Sequence, residues 1–261
     1  MAQMKCCHPD IQILSCAYLK IHGWDHNDSF AAFWRFYWNN KSGAFLIING
    51  VEYEMRPDRF FLIPAKTRFS TRSEGDFSHF YSHFTAGNPF ERVIPDIYSF
   101  PIDSHIRQKI RSISVMLSKT DCGRISSSLL LYSLIYESMA KLGKTTFSSH
   151  TQPDRRIDAV IEFLNGNTSR IISNEELAEK INMTTNGFIR LFNSATGTPP
   201  QKYSQKKRIE KASLLLSFSN KRIDEIAKET GFLDRYHFTK VFKRHTQQNP
   251  AEFRKNKEFI F

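Results

Sequence analysis

Cysteine is scarce in this chain, with four in 261 residues. Cys6, Cys7, Cys16 and Cys122 lack the spacing of a zinc site, so reduced thiols are favoured over a metal site or a disulfide framework. Long apolar runs are missing too. No stretch is long enough to span a bilayer, and the opening MAQMKCCHPD lacks the apolar core of a signal peptide. These absences predict a soluble, cytoplasmic protein with no membrane partner. Acidic residues are also in deficit: 37 Lys and Arg face 26 Asp and Glu, a net charge of +11. Such an excess suggests an anionic partner without naming it. It is uneven, with 20 basic against 13 acidic residues from Asp154 onward and 17 against 13 before it.

What is present is a repeat. Leu177-Ala178 is followed by a polar turn, then Phe188, Leu191 and Phe192; Ile226-Ala227 is followed by a turn through Gly231, then Phe238, Val241 and Phe242. An offset of 50 residues relates Phe192 to Phe242, Pro200 to Pro250, and Tyr203 to Phe253. Two short helices, a tight turn and an apolar i, i+3, i+4 triplet describe a helix-turn-helix, here present twice. Ile157, Val160, Ile161 and Leu164 form the buried stripe of a preceding helix that Gly166 ends. Ser173 with Glu176 reads as a capping box for a helix over 174–181. The first recognition helix is predicted at 184–195, capped by Thr184 or Thr185 and stopped by Gly197. Thr198-Pro199-Pro200 opens a long connecting helix through Leu216, with proline in the first turn, where its missing N–H costs little. The second copy follows over Ile223 to Glu229, with its recognition helix at 234–245; Asn249 and Pro250 begin a last short helix.

If the triplets face inward, the first recognition helix exposes Thr185, Asn186, Arg190 and Asn193, and the second exposes Arg235, Tyr236, Lys240 and Lys243. Arg and Lys can bond guanine, Asn can bond adenine, and hydroxyls and Lys can grip phosphates. A single polar helix face would mean only solvation. Two in one frame, with Arg190 and Lys240 at equivalent positions, favour reading of double-stranded DNA. Phe188, Phe192, Phe238, Phe242 and His237 are expected to be scaffold.

Upstream the pattern is β. Ile11 to Ile21, Phe33 to Trp38, Ala44 to Met55, Phe60 to Pro64 and the two runs RFSTRS and DFSHFYSHF are rich in β-branched and aromatic residues. Asn49-Gly50 between apolar runs predicts a hairpin. Short strands at this spacing predict a small antiparallel barrel or sandwich. After Pro101 the period becomes helical: Ile106, Ile110, Ile113 and Leu117, then Leu130, Leu134, Ile135 and Met139. These stripes fit an internal core and a dimer seam equally well. The Ser/Thr-rich stretch from Gly143 to Pro153 is the linker candidate. His79 and His83 share a strand face with Phe77 and Tyr81, with no third metal ligand at matching spacing, so polar lining is favoured over a metal. Arg35, among aromatics, either snorkels to solvent or lines a ligand site.

IDEIAKETGFLDRYHFTKVFKRHTQQNPAEFR (Ile223 to Arg254) closely resembles the second helix-turn-helix signature of the AraC/XylS transcription regulators. TTNGFIRLFNSATGTPPQKYSQKKRIEKASLLL (Thr184 to Leu216) resembles their first recognition and connecting helices. Gln247 stands where the family usually has glycine, and Arg222 where a small N-cap is common. FLIINGVEYEMRPDRFFLIPAKTRF looks like the cupin-type sensor barrel of that family; metal-binding cupins would have a histidine near Arg68. The resemblance implies an effector site using Ser70, His79 and Tyr81, to which the residue chemistry adds Arg35 and Arg68. Some members bind fatty acids and others answer to a regulatory protein. It also implies RNA polymerase as a partner, a homodimer, and activation more often than repression.

The expected fold class is therefore α+β: a cupin-like antiparallel β-barrel plus two helices over 1–145, a linker at 146–153, and an all-α double helix-turn-helix domain over 154–261. The expected function is promoter-specific regulation, with two recognition helices in successive major grooves and no cofactor. A cupin-type enzyme with an accessory DNA module, and a binder of acidic protein or membrane surfaces, are the rival readings.

Overall fold

The computed structural model describes residues 10–117, 124–147 and 154–255. It divides into two compact units, with the division between Ser148 and Ser149. Among its described residues the first unit holds nine strands: β1 (Ile11–Ile21), β2 (His26–Ser29), β3 (Trp34–Asn39), β4 (Ala44–Ile48), β5 (Val51–Glu54), β6 (Arg59–Ile63), β7 (Phe69–Ser73), β8 (Phe77–Ala86) and β9 (Tyr98–Pro101). Two helices follow, α1 (Ser104–Leu117) and α2 (Arg124–Met139). The strands form two sheets, ordered β1-β8-β3-β6-β9 and β2-β7-β4-β5, with antiparallel pairing throughout. The predicted hairpin closes as expected: Asn49 and Gly50 both take positive φ, 51° and 79°, and Ile48 pairs with Val51.

All six residues of β3 are buried, because both of its faces are covered. Trp34, Phe36 and Trp38 point to one side, where Ile106, Ile110 and Ile113 of α1 and Leu134, Ile135 and Met139 of α2 complete a core. Residue Tyr37 points to the other side, among Trp24, Leu46, Phe61, Phe69 and Phe77 between the two sheets. The internal-core reading of the helices therefore holds for one face of each. Leu117, expected in the buried stripe, is exposed at the end of α1, and Leu130 is only half-buried. The second apolar face of α2 (Ile125, Leu129 and Tyr136) is exposed. The first residues of the linker candidate are docked on this unit: Phe147 bridges Val93 and packs on the helix-facing core, while residues 148–153 lie outside the described residues.

The second unit is helical: α3 (Arg155–Gly166), α4 (Asn174–Lys180), α5 (Thr185–Thr196), α6 (Pro200–Phe218), α7 (Ile223–Glu229), α8 (Arg235–Thr246) and α9 (Pro250–Lys255). The long helix α6 contacts both copies of the repeat. Asp154 caps α3 by accepting from the Arg156 N–H at 3.0 Å. The capping box expected at α4 is half formed. Ser173 Oγ accepts from the Glu176 N–H at 3.2 Å, but the Glu176 carboxylate turns to Arg170 at 2.5 and 2.8 Å. A guanidinium offers a charged fork, which outcompetes a single backbone N–H. Arg222, having no acceptor, also supports only half a box: Glu225 accepts from its N–H at 2.6 Å.

Candidate nucleic-acid interface

Both recognition helices are built from the same contacts. Phe188 and Phe192 of α5, and Phe238 and Phe242 of α8, are fully buried. Phe192 meets Tyr203 edge-on at 5.4 Å, and Phe242 meets Phe253 in the same way at 5.3 Å. Thr184 caps α5 by accepting from Gly187, and Asp234 caps α8 by accepting from His237 at 2.7 Å. At the far ends, Thr196 Oγ1 lies 2.8 Å from the Phe192 carbonyl, and Thr246 Oγ1 lies 2.9 Å from that of Phe242. Gly197 and Gln247 then close each helix in the left-handed region, with φ of 67° and 66°.

Gln247 thus holds the glycine geometry with a side chain. Left-handed backbone costs an L-residue about 1 kcal/mol or more relative to glycine. Gln247→Gly is expected to stabilise the protein by about 1 kcal/mol, read as a higher urea midpoint at unchanged slope. An unchanged or lower midpoint would show that this turn carries no such strain.

With the aromatic anchors inward, the opposite faces point out. Asn186, Arg190 and Asn193 are exposed on α5, and Thr185 is half-buried at its start. Arg235, Tyr236, Lys240 and Lys243 are exposed on α8. The α8 residues line one concavity of about 580 Å³, to which Asn249 and Pro250 at the start of α9 also contribute. Arg235 is partly engaged, 3.3 Å from the Asp224 carboxylate, which also meets Arg222 at 3.4 Å. His237, expected in the scaffold, is exposed and only leans edge-on against Phe232 at 5.7 Å. His237, in the first turn of α8 three residues after the cap, faces solvent, and adjacency to the apolar triplet misassigned it.

The junction between the two copies is tight. Arg208 of α6 is 6% exposed, donates from Nη1 to the Gly231 carbonyl at 2.9 Å, and lies over the Phe232 ring at 4.7 Å. Gly231 has φ +72°, and a Cβ there would stand 3.1 Å from backbone atoms of Ser169 and Arg170. Nothing in the 50-residue periodicity singled out Arg208; its place in α6 becomes visible only once Gly231 is positioned.

The expected effector residues separate into two groups. Arg35, His79 and Tyr81 are buried together between the sheets. Arg68 instead pairs with Asp28 at 2.6 Å and lies over the Phe30 ring, and Ser70 Oγ accepts from the Asp28 N–H at 3.2 Å. Arg35 does not snorkel. At 2% exposure its guanidinium sits 4.9 Å from the Phe33 ring and 5.0 Å from Phe69, with Nη1 lacking a hydrogen-bond partner. Tyr37, Asn39 and His83 complete this buried polar group. His79 Nδ1 lies 2.7 Å from Asn39 Oδ1, and His83 contacts Ser15 Oγ at 3.1 Å and the Tyr37 hydroxyl at 3.4 Å. The strand period of two, counted from Arg35, would have found Tyr37 and Asn39. No group of three or more His, Cys, Asp or Glu able to hold a metal occurs among the described residues, and no described helix is long and apolar enough to cross a membrane.

Burial lowers the His79 pKa to about 3 and holds that of His83 well below the usual range, with the Arg35 charge adding to the effect. Below about pH 6.5 the unfolded chain takes up protons that the native histidines refuse. Their contribution to stability is therefore complete above that pH and lost as pH falls toward 3, at about 1.4 kcal/mol per histidine per pH unit. The thermal midpoint of the N-terminal unit should drop between pH 7 and pH 5. Equal midpoints would contradict neutral burial of this pair.

Residues 177–256 match the helix-turn-helix domain family. The activator RhaS of Escherichia fergusonii is 26% identical over 159 residues, covering 60% of this chain and 57% of the relative. The lactose operon transcription activator of Staphylococcus xylosus is 27% identical over 150 residues, covering 58% and 54%. The chain is thus similar to transcription regulators of the AraC/XylS type, and the domain-family match covers its helical repeat. The chain spans about half the length of these curated relatives. Among solved structures, wild-type ToxT from Vibrio cholerae with an unsaturated fatty acid bound superposes with a TM-score of 0.55 at 17% identity, over 94% of each chain. At that identity the likeness shows the fold alone, an α+β chain with antiparallel sheets followed by an all-helical unit.

Proposed function

We propose that this protein is a sequence-specific DNA-binding transcription regulator in which α5 and α8 enter successive major grooves of promoter DNA. The observation that carries the reading is the matched pair of faces. Asn186, Arg190 and Asn193 on one helix, and Tyr236, Lys240 and Lys243 on the other, project from equivalent aromatic anchorages. Helices held this way present base-reading and phosphate-gripping groups to a groove. The basic excess of the C-terminal half supports the same partner.

The unit over 1–145 is the sensor, joined through 146–153 to the reader over 154–261. A small-molecule effector would be read by Arg35, His79 and Tyr81 between the sheets; Arg68 and Ser70 lie apart from that group. A regulatory protein is the other form the signal can take. The exposed stripe Ile125, Leu129 and Tyr136 on α2 supports a homodimer formed through that helix. The two activators among the relatives support activation, and with it contact to RNA polymerase in the cytoplasm.

Selection of genomic fragments by the purified chain tests the proposal. A small set of enriched fragments is expected, with affinity falling steeply between 50 and 200 mM salt, roughly as the power set by the number of phosphates contacted. Binding without sequence enrichment, or indifferent to salt, would refute it.

A further inference from the structure

The two recognition helices differ in one respect that the repeat conceals. Leu233 and Tyr236 flank the Asp234 cap of α8 and are 89% and 87% exposed, more than any other large hydrophobic residue among the described residues. Fifty residues earlier, Met183 holds the position of Leu233. It is half-buried, packs on the core of the first copy, and its Cε approaches Gly187. Asn186 holds the position of Tyr236. The first copy therefore folds its apolar residue inward and shows the groove hydrogen-bonding groups. The second shows a leucine side chain and a tyrosine ring at the same place.

We infer that Leu233, with Tyr236 beside it, reads thymine C5-methyl groups in the half-site engaged by α8. The inference rests on the DNA-binding reading above and adds a base preference to one half of it. N-terminal residues of a recognition helix are the ones that reach base edges. The thymine methyl is the apolar feature of the major groove that an aliphatic side chain can recognise, whereas hydrogen-bonding side chains read the other bases. The surroundings suit a nucleic acid better than an apolar protein surface. Tyr236 shares its concavity with Arg235, Lys240 and Lys243, whose charges match flanking phosphates. Exposed as it is, Leu233 can be shortened without opening a cavity in the fold.

The test uses a duplex selected by the full chain, with each thymine of the α8 half-site replaced in turn by deoxyuridine. This removes one methyl group and leaves base pairing intact. Wild type should weaken about three- to tenfold at one or two positions, the effect of losing one buried methyl contact. Leu233→Ala should bind the thymine and uracil duplexes within about twofold of each other, with an unchanged thermal midpoint. Indifference of the wild type to uracil at every position would overturn the inference, as would a Leu233→Ala protein that keeps the wild-type preference for thymine. Failure to enrich any duplex at all would overturn the DNA-binding reading itself, a distinct result.

Discussion

Gly231→Ala is expected to destabilise the C-terminal unit by about 3 kcal/mol and to abolish specific DNA binding at temperatures where wild type is folded. Two costs combine. Left-handed backbone, φ +72° here, penalises an alanine by roughly 1–2 kcal/mol. The added Cβ also meets three backbone atoms of Ser169 and Arg170 at 3.1 Å, and backbone cannot rotate away as a side-chain tip can. Overpacking of this kind costs about 1–3 kcal/mol. The same glycine gives its carbonyl to Arg208, so a shift there also disturbs the contact between α6 and the second turn. Gly166→Ala is the control, since open space surrounds that position. In a thermal melt the Gly231 variant should fall by about 12 °C or more, and the control by far less. A Gly231→Ala protein with a wild-type midpoint would mean that residues 169–170 and the turn are not packed as described.

Combined removal of Arg190 and Lys240 is expected to lower affinity for the selected site by roughly 10² to 10⁴. Each side chain is exposed, and each occupies the same frame on its own helix. A base contact by either is worth about 1–3 kcal/mol, and residues on separate helices should add. Arg190→Ala and Lys240→Ala should relax discrimination at different base positions, one in each half-site. Lys243→Ala should instead weaken all sequences alike. Titration of the three single variants and the double variant against the selected duplex and a scrambled one decides this. A double variant that binds as tightly as wild type would remove both residues from the interface.

The helical half was the more legible because its signals are local. Caps, prolines and apolar triplets sit within one or two turns of what they control, and the repeat supplies each of them twice. Arg208 escaped notice because its role depends on a residue 23 positions away across a turn. In the sheets, the long apolar strands and the Asn49-Gly50 hairpin could be read directly, whereas β2 and β9 could not. His-Asn-Asp-Ser carries no strand pattern, and β2 forms only because it lies at an edge beside β7, where Asp28 takes φ 54° and a backbone N–H bonds Ser70. Arg35 was ambiguous for a related reason. In Phe-Trp-Arg-Phe-Tyr-Trp every residue is buried, so alternation could not show which side was which until α1 and α2 covered one face.

That strand has a mechanical consequence. One ribbon of backbone is the party wall of two compartments, with Tyr37 in the inner room, Arg35 and Asn39 grouped with it, and Trp34, Phe36 and Trp38 in the outer one. Interiors packed to crystal density do not absorb displacement; they pass it on. Any guest that pushed Arg35 aside would therefore lean on the tryptophans behind it, and the layer holding α1 and α2 would feel a molecule it never touches.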